Sequence, residues 1–106
     1  MTVDRLLEEK KFESNKYRTQ MHSLGDVLDV ILNAGREGVI ISSISRRANL
    51  SHYPTMDKCG KLLSAGLIKS NTDNGKNVFF ITEKGYNFIT EYRKFQDLIE
   101  SMNLRY

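Results

Sequence analysis

Apolar residues recur along this chain with several different periods, and each period marks an element. Leu24, Val27, Leu28, Ile31 and Leu32 stand three and four apart, which predicts an amphipathic helix over 24–34. Asp26 and Asp29 fall on its outer face, and Gly35 and Gly38 close it. Val39-Ile40-Ile41 is a β-branched run long enough for one small strand. Ser42 is placed to cap a short helix from Ser43, with Ile44 and Ala48 inward and Arg46 and Arg47 outside that face. Asn49-Leu50-Ser51 interrupts it, and Ser51 is placed to cap the next helix. Pro54 suits the first turn of that helix, where its missing N–H costs nothing. Thr55, Met56, Cys59, Leu62 and Leu63 form its expected inner face, and Gly66 its stop.

The pattern then shortens. Leu67-Ile68-Lys69-Ser70 and Asn77-Val78-Phe79-Phe80-Ile81 flank Thr72-Asp73-Asn74-Gly75-Lys76, which predicts a β-hairpin around Asn-Gly. The Asn74-Gly75-Lys76 piece is a turn rather than a fragment of a phosphate-binding loop. From Thr82 a helix runs to the end of the chain. Within it Phe88, Tyr92, Phe95, Ile99 and Met102 step by 4, 3, 4 and 3, a heptad seam whose register extends to Ile81, Gly85 and Tyr106. Twenty-five helical residues would make a rod of about 37 Å, longer than so small a globule, so the seam is expected to meet a second copy of itself. Residues 4–20, with Leu6, Leu7, Phe12 and Tyr17 irregularly spaced among charges, read as a helical or partly ordered arm.

Helix, short strand, helix, turn, helix and hairpin is the order of a winged helix-turn-helix. The expected class is therefore α+β and mostly helical. The divisions are an N-terminal arm over 1–21, the winged unit over 22–81 and a dimerisation helix over 82–106.

Charge sharpens this picture. The chain of 106 residues carries a formal charge of only +3. Between Ser42 and Ile81, however, Arg46, Arg47, Lys58, Lys61, Lys69 and Lys76 face only Asp57 and Asp73, a surplus of four. Residues 24–41 are net acidic and 82–106 balanced. A positive surplus confined to the helix-turn-helix and hairpin is the electrostatic footprint of duplex DNA binding. The groove-entering helix needs polar groups near its start, and Ser51, His52, Tyr53 and Thr55 stand there, followed by Lys58 and Lys61. Arg46 and Arg47 on the preceding helix, with Lys69, Asn74 and Lys76 in the hairpin, are the expected backbone contacts, and Asn71 and Asn77 add polar groups. Phe88, Tyr92, Phe95, Ile99 and Met102 are the expected dimer interface.

Other chemistries find little support. One cysteine excludes a disulfide framework, and no apolar run approaches the ~18 residues of a membrane span. The N-terminus lacks a signal core, so a cytoplasmic protein is expected, and the expected DNA binding makes it nucleoid-associated. Cys59 reads as a small buried hydrophobe, and His22, His52 and Cys59 do not make a metal spacing. Tyr86, Phe88, Tyr92 and Phe95 read as core and seam rather than as an aromatic binding box. No catalytic constellation stands out, and no cofactor or small-molecule ligand is expected.

The segments ANLS before the second helix of the motif, LLSAGLI closing it, and FFITEKGYNFI after the hairpin are similar to those of archaeal winged-helix DNA-binding regulators. The likeness is greatest to the small chromatin-associated dimers of the Sulfolobus ten-a type, and it covers roughly residues 22–106. The resemblance implies DNA binding by a dimer paired through its long C-terminal helices. It gives the recognition-helix role to 51–61 and the wing role to 69–77. Asp57 is a departure, since the chromatin-type proteins are often more basic at that helix. A transcriptional regulator is the first expectation. The alternatives are a sequence-tolerant nucleoid protein and a winged-helix module that binds protein instead.

Overall fold

The computed structural model describes residues 20–102. The arm expected over 1–21 lies almost wholly outside the described residues, as do the last four positions of the C-terminal helix.

Helix α1 occupies 20–34 among the described residues. It starts earlier than its apolar stripe because nothing in Gln20-Met21-His22-Ser23 breaks a helix, and an exposed His22–Asp26 pair at 3.7 Å spans its first turns. Val27, Leu28 and Ile31 are completely buried. After a short 3₁₀ turn at Gly35–Glu37, strand β1 holds only Val39–Ile40. Ile41, expected in the strand, instead opens helix α2 (Ile41–Ala48). Ser42 is therefore inside the first turn and is not the cap; Ile40 is, and it makes no side-chain capping bond.

Helix α3 (His52–Ser64) follows, with Ser51 at the N-cap position but without the side-chain bond expected of it. The inner face of α3 is narrower than expected. Thr55, Cys59 and Leu62 are buried, whereas Met56 and Leu63 are 47% and 37% exposed. A strip of one residue per turn suffices because α3 meets the core along a single ridge. Gly66, at φ +75°, ends the helix: its N–H donates to Leu63 and that of Leu67 to Leu62, a closure that requires a left-handed residue.

Strands β2 (Ile68–Asp73) and β3 (Lys76–Ile81) are longer than their apolar runs. They zip up to a two-residue Asn74-Gly75 turn with Asp73 opposite Lys76. Both turn residues have positive φ, which Asn and Gly tolerate best. The sheet order is β1-β3-β2, all antiparallel, with Val39 opposite Phe79. Helix α4 (Glu83–Ser101) closes the described fold.

The core unites Val27, Leu28 and Ile31 of α1, Val39, Ile44, Cys59, Leu62, Leu67, Ile68, Phe79 and Ile89. Its last member shows that α4 begins as part of the globule. Gly25 lies so close to the Tyr92 ring that a β-carbon there would stand 2.8 Å from Tyr92 Cε2. Asp29, on the outer face as its position predicts, pairs there with Arg93 of α4.

Candidate nucleic-acid interface

The turn between α2 and α3 is held from both sides by hydroxyls. Asn49 adopts the left-handed conformation, and the Leu50 N–H returns to the Ser45 carbonyl at 2.9 Å. Ser45 Oγ donates to the Leu50 carbonyl at 2.5 Å, and Thr55 Oγ1 donates to the Ser51 carbonyl at 2.8 Å. Ser45 is not a site residue the sequence predicts, yet its hydroxyl and carbonyl both tie Leu50 of the turn to α2. Its signal is a small hydroxyl five residues before the position it binds.

Thr55, expected both on the inner face of this helix and as a DNA contact, takes only the first place. It is completely buried with its hydroxyl spent on Ser51 O, so it positions α3 and offers no surface. Ser51, His52 and Tyr53 are exposed, Tyr53 at 81%. The His52 and Tyr53 rings meet edge-to-face, 5.6 Å apart.

The structure brings the start of α3 beside the hairpin. His52 and Met56 share a half-open groove of about 380 Å³ with Ile40, Ile41, Ser42, Lys76, Asn77 and Phe79. Lys76 and the first turns of α3 thus border one surface. Lys69 and Asn74 are exposed on the hairpin, and the register sets Lys69 on the same sheet face as Lys76. Arg46 and Arg47 are exposed at the end of α2; Arg47 lines a different, more polar cleft with Asn33, Glu37 and Ser43.

The two cations of α3 are not free. Asp57 receives Lys61 at 3.2 Å and lies 4.0 Å from Lys58, whose side chain is only 13% exposed. Both pairs lie within one helix, and the Asp57–Lys61 pair, about half exposed on each side, contributes little stability. Their consequence is electrostatic: the three side chains leave α3 a net charge of one. Cys59 lies behind this face, and burial pushes its thiol up from 9.0 to about 11.

On α4 the expected seam divides. Tyr92 packs against the core and stacks on Phe88, ring centroids 6.3 Å apart, and Ile99 is half-buried. Phe88, Phe95 and Met102 are exposed at 37%, 57% and 53%, and Leu98, outside the heptad positions, joins them at 53%. Among the described residues no group of three or more His, Cys, Asp and Glu is placed to hold a metal ion. No helix there is long and apolar enough to cross a membrane.

Comparison with known proteins gives a consistent answer. Sso10a-2 of Sulfolobus solfataricus, a DNA-binding protein, superimposes with a TM-score of 0.58 at 20% identity, over 76% of this chain and 86% of that one. MepR, a transcription regulator of the Staphylococcus aureus multidrug efflux pump MepA, gives 0.70 at 12% identity over 94% and 78%. AF1382 of Archaeoglobus fulgidus gives 0.62 at 18% identity over 74% and 87%. At these identities the likeness is one of fold. No curated protein matches the chain in sequence. The winged helix-turn-helix family matches residues 17–100, most of the chain, and the protein belongs to that family.

Proposed function

We propose that the protein is a dimeric DNA-binding transcriptional regulator, with α3 in the major groove, the β2–β3 wing on the backbone and α4 joining two copies. The observation that carries this reading is the shared surface of the exposed start of α3 and the wing residue Lys76. Half of the surplus of four between Ser42 and Ile81 lies in α3 and the wing, and the other half is Arg46 and Arg47 of the preceding helix α2. Arg46, Arg47, Lys69 and Asn74 are exposed and available to phosphates, while Ser51, His52 and Tyr53 are available to base edges. The family and the DNA-binding neighbour Sso10a-2 agree with it.

The exposed apolar strip of Phe88, Phe95, Leu98 and Met102 supports pairing between copies, since a second α4 would bury it. Two subunits would also double a modest set of phosphate contacts. The sequence-tolerant architectural alternative asks for free cations on α3, and Asp57 engages both. A protein-binding module would use the same α2–α3 face without DNA.

Anisotropy titration of labelled duplex at two salt concentrations tests the reading. Binding near micromolar protein at low salt, weakening steeply as salt rises, is expected. No binding at low salt overturns it and leaves the protein-binding module.

A further inference from the structure

We propose that Asp57 is a specificity-determining residue: its carboxylate accepts a hydrogen bond from the amino group of a cytosine or adenine in the major groove and disfavours the reversed base pair, which turns guanine or thymine acceptors toward it. The proposal rests on the DNA-binding reading above.

Asp57 lies in the second turn of α3, on the side opposite buried Thr55, Cys59 and Leu62. Tyr53 precedes it by one turn on that face, and Gly60 follows it. A β-carbon at Gly60 would meet nothing within 4 Å, so this part of the face is open and any approaching surface reaches the helix closely. The carboxylate is about half exposed, and its ion pairs come from Lys58 and Lys61 of the same helix.

A carboxylate here is costly for backbone binding. It repels phosphates and occupies the two cations that would attract them. Base edges in the major groove repel it too wherever they show acceptors: guanine O6 and N7, thymine O4 and adenine N7. Only the cytosine N4 and adenine N6 amino groups donate to it. One acid at the centre of the exposed face therefore lowers affinity for duplexes in general and restores it where the strand facing the second turn carries cytosine or adenine, whose amino group then meets the carboxylate. That is selection by repulsion as well as attraction.

The experiment compares the full chain with D57A and D57N. Duplexes are first selected from a random library by the unmodified protein. Affinity is then measured for a selected and a scrambled duplex across a salt series, with thermal unfolding to verify the fold. An exposed helical Asp→Ala change is favourable for helix formation, so folding is retained. D57A should bind the scrambled duplex about three- to tenfold more tightly, with a salt slope steeper by about one as Lys61 is released to phosphate. Its selected-to-scrambled ratio should fall at least about fivefold. D57N should move the preferred base at one position toward adenine, which asparagine pairs with in bidentate fashion. A D57A chain with an unchanged ratio overturns the proposal, as does an unmodified protein that selects no sequence. An unmodified protein that binds no duplex is a distinct result, which overturns the DNA-binding reading itself.

Discussion

The carbonyl of Leu67 lies directly over Gly85: a β-carbon on Gly85 would stand 1.9 Å from Leu67 O. This contact is the centre of a joint between the end of α3 and the start of α4. Three successive carbonyls leave α3 there, and the Thr82–Gly85 segment satisfies each. Lys84 Nζ donates to Ala65 O at 2.8 Å, Thr82 Oγ1 to Gly66 O at 2.7 Å, and the Thr82 N–H to Leu67 O at 3.1 Å. Thr82 Oγ1 also accepts from the Gly85 N–H at 3.0 Å and so caps α4.

Gly85→Ala is therefore expected to destabilise the fold by about 3 kcal/mol, because the obstructing atom is backbone and cannot step aside. Thermal unfolding should show the midpoint lower by roughly 10–20 °C. An unchanged midpoint would mean that α3 and α4 separate freely at this joint.

Thr82→Val keeps the shape and removes both hydroxyl bonds, leaving the Gly66 carbonyl and the Gly85 N–H without that partner. A loss of about 1–2 kcal/mol is expected in denaturant unfolding. Thr82→Ser should retain most of the stability, since serine caps as well as threonine.

The Cys59 thiol is buried, at 2% exposure, and its value near 11 leaves about one thiolate in a thousand at pH 8. Reaction with a thiol reagent at that pH should be slow and should track unfolding. The folded value lies above the ordinary one, so the folded chain keeps this proton longer. Its contribution to stability is full below about pH 9 and is lost as pH rises from 9 to 11, by on the order of 2 kcal/mol. Cys59→Ala should remove that part of the alkaline decline, seen by comparing unfolding curves at pH 8 and 10.5.

Phe95→Asp places a charge in the exposed strip of α4, where Phe95 is 57% exposed and holds up none of the core. Sedimentation should show a dimer for the unmodified chain and a monomer with unaltered circular dichroism for the variant. A monomeric unmodified protein would remove α4 pairing from the proposed function.

Lys76→Ala should weaken binding to every duplex by a similar factor and lower the salt slope by about one, the mark of a phosphate contact. A variant that changes the preferred sequence instead would assign Lys76 to base contact.

Much of this fold is legible in the amino-acid order because its signals are local. The 3–4 spacing of Leu24 to Leu32, the Asn74-Gly75 turn and the Gly66 stop each act through neighbours within a turn or two, and the structure places the corresponding elements where they point. Boundaries were less legible. Ile41 has a strand former's side chain, yet it opens α2, and β1 keeps only Val39 and Ile40, opposite Phe79 and Val78.

What the sequence alone determined is the order of elements, the class of fold and the place of the charge surplus, all properties of position along the chain. Only tertiary structure decided what each side chain is free to do. It decided between the two places expected of Thr55, inner face and DNA contact, because packing of α3 on the core leaves that side chain completely buried. It assigned Tyr92 to the core and left Phe95 and Leu98 outside, because α1 covers one flank of α4 and not the other. It also joined LLSAGLI to TEKG, some fifteen residues apart, through backbone carbonyls that carry no mark in the sequence. Periodicity reports which face of a helix is apolar; which part of that face is covered depends on a neighbour that only the folded chain supplies.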